Sequence, residues 1–200
     1  MKKELDYFRV DNWIGGNQDR VIDPILHFAG CAAIAASDSC VFLSRYFGRT
    51  ALYPSPSDHL TKKEYTALLR RMKKYLHPQK YGIDNVRQFI LGFRNYLNDA
   101  GESGLWAEEY STHHSEADGI TVIRRQIDSG ILVPFLMLRN RDKSLSWYDW
   151  HWFLVTGYED REDGFYIRVT TYGTHIWLAL HRLWETGFDK KGGLVIYHLN

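Results

Sequence analysis

The chain has 200 residues, enough for one domain with its own core, and its 44% hydrophobic and 15% aromatic content excludes a disordered polymer. Its 25 basic and 24 acidic residues leave a formal charge of +1, which excludes a global field for nucleic acid or an anionic membrane. The longest apolar run, Phe28 to Ala36, is far shorter than the roughly 20 residues that span a bilayer. Glu4, Asp6, Arg9 and Asp11 interrupt any secretory hydrophobic stretch, so the expectation is a cytoplasmic protein with no membrane partner.

The first 25 or so residues carry the turn signals Gly15-Gly16-Asn17 and Asp23-Pro24 and predict irregular backbone. A first helix is expected from about Gly30 to about Tyr46, ended by Gly48. Thr61 and Glu64 form a capping box and Leu60 and Tyr65 a hydrophobic staple for a second helix, which His77-Pro78 stops. Tyr65, Leu68, Leu69, Met72 and Leu76 are its buried stripe. The other face carries Lys62, Lys63, Arg70, Arg71, Lys73 and Lys74; with no aromatic or Gly-rich motif beside it, it reads as a solvated face and not as a nucleic-acid surface. A third helix, about Asp84 to Leu97, buries Val86, Phe89, Ile90 and Phe93, and a short fourth, about Asp118 to Ile127, precedes the Ser129-Gly130 turn.

After that the pattern changes. Val133 to Leu138, Trp152 to Tyr158, Phe165 to Thr171 and Leu194 to Leu199 are short β-branched and aromatic runs, with a turn at Asp163-Gly164 between the middle two. Helices first and strands afterwards predict an α+β fold, a single domain over residues 1–200 with a helical layer packed on a mostly antiparallel sheet.

Two cysteines occur, Cys31 and Cys40. On one helix their nine-residue spacing puts them on opposite faces and roughly 13 Å apart along the axis, which excludes a disulfide. Cys40 reads as a structural residue. Cys31, in "FAGCAAIAAS", has two readings. It is either a compact apolar residue in a close-packed helix or a nucleophile at a helix start, where unpaired N–H groups and the positive dipole end favour a thiolate. A nucleophile also needs a base close in space, and His151 opens the strand "HWFLVTGY". Strand alternation puts His151, Phe153 and Val155 on one face and Trp152, Leu154 and Thr156 on the other.

Together these two motifs resemble the papain-like cysteine peptidase superfamily, and within it the bacterial C39-like branch, where "GCG-x-x-A-x-A" is followed by "HWVVVTGY" and by a strand ending in a short motif before glycine. The resemblance spans about Gly15 to Asn200. It implies a papain-like fold with a cleft between helices and sheet, Cys31 as nucleophile and His151 as general base. It also implies an oxyanion-hole amide in the stretch Gly15-Gly16-Asn17-Gln18, with Gln18 as donor beside the Cys31 N–H and Asn17 as the alternative; the same stretch also reads as a polar turn. Where the family has Asn or Asp three residues before a glycine, "TTYG" puts Thr170, a hydroxyl that accepts a bond from His151 but adds no charge. Asp149 is a further candidate partner for His151, and Ala32 stands where the family commonly has Gly.

Gly30, Asn17, Trp147 and Tyr148 are the expected substrate-binding positions, the last two as one wall of the cleft. No helical His pair and no Cys/His ligand spacing occurs, so no metal and no cofactor is expected. The expected chemistry is attack of Cys31 on the amide carbonyl of a peptide to give an acyl-enzyme. An amidase or acyltransferase, or a catalytically silent binding module that keeps the cleft, would use the same residues.

Overall fold

The computed structural model of the chain describes residues 1–54, 57–77 and 82–200. Among these, a seven-stranded sheet is built from β1 (Lys2–Glu4), β5 (Leu105–Ser111), β6 (Val133–Met137), β7 (His151–Arg161), β8 (Gly164–Thr171), β9 (Thr174–Ala179) and β10 (Gly193–Leu199). A small sheet joins β2 (Arg9–Val10), β3 (Trp13–Ile14) and β4 (His59–Leu60). The large sheet runs β5-β10-β6-β7-β8-β9, with β1 pairing β7 at Gly157–Glu159, beyond the end of β6. Every pairing in it is antiparallel. The four expected strands are present, and β7 begins one residue earlier and ends three later than the apolar run that marks it.

Six helices of the described residues flank the strands: α1 (Pro24–Ala29), α2 (Cys31–Phe47), α3 (Lys62–Met72), α4 (Val86–Ala100), α5 (Glu116–Asp128) and α6 (Leu180–Trp184). α2 matches the expected first helix, and Gly48 closes it in the left-handed region at φ 65°. α3 carries the full capping box, with Thr61 and Glu64 each bonding the other's backbone N–H. Pro78, expected to stop it, lies outside the described residues. α4 and α5 start at side-chain caps on Asn85 and Ser115.

β1, β2, β3 and a 3-10 turn over Gln18–Arg20 correct the expectation of irregular backbone over the first 25 or so residues, and α1 begins where that stretch ends. Asp23 accepts from the Ile25 and Leu26 N–H groups, and Pro24 has its φ preset for a first helical turn. The same Asp-Pro pair that signals a turn is here a helix start.

Helices cover both faces of the sheet, where a single layer was expected. On one face Trp152 stacks on Phe89 of α4 at 4.4 Å and donates its indole N–H to the Ile83 carbonyl at 2.7 Å. α2 packs on this side, and its small residues Ala32, Ala33, Ala35 and Ala36 are at most 2% exposed, so its backbone approaches the sheet closely. On the other face Phe153 packs on Phe135, which meets Trp184 of α6, while Gly119 of α5 leaves room for the Trp184 ring. The predicted alternation of β7 therefore holds.

Candidate active site

Cys31 is placed by the joint between α1 and α2. The Gly30 N–H closes α1 on the Leu26 carbonyl at 3.0 Å, and the Gly30 carbonyl accepts from Ile34 to open α2. A Cβ at position 30 would overlap the Leu26 backbone, so glycine fits there for steric reasons. No side chain caps α2, which leaves its first N–H groups unclaimed by a cap beside the thiol. The N–H groups of Trp152, Ala32 and Cys31 itself favour the thiolate, but burial outweighs them and pushes the Cys31 thiol above its ordinary value. Cys31 is 7% exposed and Cys40 fully enclosed, with its thiol pushed up further by burial.

α2 packs against β7, and the Trp152 N–H that favours the thiolate belongs to the residue after His151, so the thiol lies near the start of β7. His151 pairs with Met137 of β6 and follows Trp150, whose φ of 58° turns the chain sharply into the strand. Its Nε2 lies 2.7 Å from the Thr171 hydroxyl. The Tyr172 ring stacks parallel to the imidazole, with centroids 4.7 Å apart and planes 2° apart, and its hydroxyl is 3.5 Å from Nδ1. Burial lowers His151 to about 4, so the ring is neutral at neutral pH. No hydrogen bond joins the thiol to His151, and the pair rests as neutral thiol and neutral imidazole.

Thr170 does not hold His151. Opposite Leu154 in the β7–β8 ladder, it faces the Trp152 side, where its hydroxyl meets Thr156 Oγ1 and His175 Nδ1, each at 2.7 Å. Strand alternation turns the next residue, Thr171, to His151 instead. Asp149 accepts from the Asn140 N–H at 2.9 Å and serves the preceding loop.

The two upstream amides are engaged in the fold. Gln18, in a short 3-10 helix over Gln18–Arg20, donates from Nε2 to the His27 carbonyl at 2.6 Å, tying that turn to α1, and its buried Oε1 has no partner among the described residues. Asn17 caps the turn through Oδ1 and donates from Nδ2 to the Tyr172 carbonyl at 2.9 Å. Trp147 and Tyr148 end a 3-10 helix over Lys143–Tyr148 that Asp142 caps. With Tyr172, Ile176, Leu178 and Arg182 they line a groove of about 340 Å³, and Tyr148 and Tyr172 are the same two rings that flank His151. Trp147 is 78% exposed at its rim.

Thr171 and Tyr172 are the site residues that the motif comparison passed over. Their signal was the "TYG" that carries the chain into the β8–β9 turn, where Tyr172 and Gly173 both take positive φ.

A comparison of the chain with protein-family models gives no match, and a comparison with curated proteins gives none either. Among the described residues no group of three or more His, Cys, Asp or Glu side chains converges on a common point for a metal ion, and no helix is long and apolar enough to cross a membrane. Arg71 of α3 donates to the Tyr96 hydroxyl and Lys73, its C-cap, pairs with Asp23 at 2.6 Å, so part of the basic face is committed to the fold.

Proposed function

We propose that the chain is a cysteine-dependent hydrolase of papain-like, C39-like type, most directly a peptidase, with Cys31 as nucleophile and His151 as general base. The observation that carries this reading is the burial of the Cys31 thiol at an uncapped helix start against the strand that His151 opens. In the tautomer that donates Nε2–H to Thr171, Nδ1 keeps a lone pair, and a neutral imidazole accepts the thiol proton as sulfur attacks the amide carbonyl. The imidazolium formed then protonates the leaving amine, and the acyl-enzyme is released to water by the same base in reverse. First-turn N–H groups of α2 supply the dipole end at which an oxyanion is stabilised. The groove lined by Trp147 and Tyr148 suits an apolar part of a peptide or amide substrate.

The raised thiol and the absence of a thiol–imidazole hydrogen bond favour a second reading, a silent binding module on the same cleft. The two separate in a hydrolysis assay on a peptide library. An active enzyme cleaves a subset of peptides, and Cys31→Ser and His151→Ala each lower the rate by at least about a hundredfold. Binding of peptides without turnover, equal in wild type and Cys31→Ser, contradicts the enzyme.

A further inference from the structure

α2 buries a carboxylate that the proposed chemistry does not use. Asp38, two turns and roughly 10 Å along the helix from Cys31, is 3% exposed. No salt bridge reaches it among the described residues. It accepts instead from Tyr65 at 2.6 Å, from Tyr7 at 2.9 Å, and from the Gly16 N–H at 3.1 Å through each carboxylate oxygen. A buried carboxylate is costly unless its lone pairs are filled, and here three donors from three segments fill them.

The contact clamps a loop that leads to the site. Gly15 takes φ 65°, and side chains at Gly15 or Gly16 would collide with Asp38, Tyr7 and Tyr65. One residue on, Asn17 donates to the Tyr172 carbonyl, and three residues before it the Ile14 N–H donates to the Gly173 carbonyl at 3.0 Å. Those two bonds hold the β8–β9 turn, where Tyr172 sits at φ 50°, a strained backbone region for a non-glycine residue. The Tyr172 ring lies flat on His151. A continuous path of two hydrogen-bonded contacts, one peptide bond and one stack thus runs Asp38, Gly16, Asn17, Tyr172, His151.

We infer that Asp38 is a positioning residue of the Cys31–His151 site, locking the Gly15–Asn17 loop to the helix that carries the thiol so that the loop fixes the Tyr172 ring against the imidazole. The inference rests on the hydrolase reading for its purpose, while the coupling is measurable without turnover.

The test follows the His151 ring protons by NMR, assigned by their loss in His151→Gln, in Asp38→Asn, Asn17→Ala and the double variant. Asparagine is isosteric but cannot accept at both ends of the side chain. Each single variant should move the His151 signals downfield as the shielding Tyr172 ring slips away, and the double variant should move them no further than the larger single. Cys31 alkylation at neutral pH should slow in each single variant and no further in the double. A His151 signal that stays in place in Asp38→Asn, with only a lowered melting temperature, or shifts that sum in the double variant, overturns the positioning role. If Asp38→Asn does not fold, Tyr65→Phe removes one donor from the carboxylate and is read by the same shift, with a stationary signal overturning the role. Unreactive Cys31 with coupled His151 shifts refutes the hydrolase reading and leaves the coupling standing.

Discussion

Two adjacent threonines at the end of β8 divide the work that the motif assigned to one. Thr171 meets His151 Nε2, and Thr170 faces the opposite side of the sheet in a polar cluster with Thr156, His175 and Arg168, whose Nε donates to Thr156 at 3.0 Å. Thr171→Ala should lower turnover about tenfold or more, since a hydroxyl that fixes the ring contributes through orientation, with little change in the urea midpoint. Thr170→Ala should do the reverse. It leaves the His175 ring nitrogen unpaired and takes one partner from the Thr156 hydroxyl, and should cost about 1–3 kcal/mol in urea unfolding while leaving Cys31 reactivity unchanged. A loss of activity in Thr170→Ala alone would return the third position to the residue that the motif spacing indicates.

At the scale of elements, the site depends on how α1 turns into α2. The joint has no room for a Cβ at Gly30, so Gly30→Ala must displace the Leu26 turn or the start of α2. It should lower stability by about 1–3 kcal/mol in thermal unfolding and slow Cys31 alkylation more than its stability loss accounts for. Trp152→Ala, which empties the face shared with Phe89, should cost about 3–5 kcal/mol with no specific effect on the thiol.

These elements also show what the chain makes readable. α2, α3 and α4 are legible because caps and helical periodicity agree, and the central strands because their runs are uninterrupted. β5, "LWAEEYS", and β9, "THIWLA", are the two edges of the sheet, half exposed and mixed in composition, so no apolar run marks them. β1 has three residues, too few for any periodicity. At the site, the positions of Cys31 and His151 follow from local sequence. Which threonine faces the imidazole depends on the register of β8 against β7, and the stacked Tyr172 depends on a turn held from Asn17, 155 residues away, so neither was legible.

For the molecule as a whole, the buried His151 and Asp38 and the half-buried His175 tie stability to pH. His151 and His175 are both held near 4 by burial, His175 also by Arg168, so between pH 6.5 and about 4 the unfolded chain binds protons that the folded chain refuses. Acidification through that window therefore lowers stability. Asp38, raised to about 6 by burial, takes up its proton before the unfolded chain does and offsets part of the loss between about pH 6 and 3.8. Relative to wild type, His151→Gln should lose less stability on going from pH 7 to 4, by about 3 kcal/mol for a shift of that size. Equal losses of unfolding free energy from pH 7 to 4 in wild type and His151→Gln would show that the imidazole is not excluded from solvent.

The central claim, that Cys31 and His151 act as one unit, is tested most directly by following iodoacetamide alkylation of both cysteines at neutral pH in wild type and in His151→Ala. The account predicts faster labelling of Cys31 than of the enclosed Cys40, and slower Cys31 labelling in His151→Ala although that change removes bulk at the start of β7. Equal slow labelling of both thiols, or a Cys31 rate that stays constant or rises when the imidazole is removed, would contradict it.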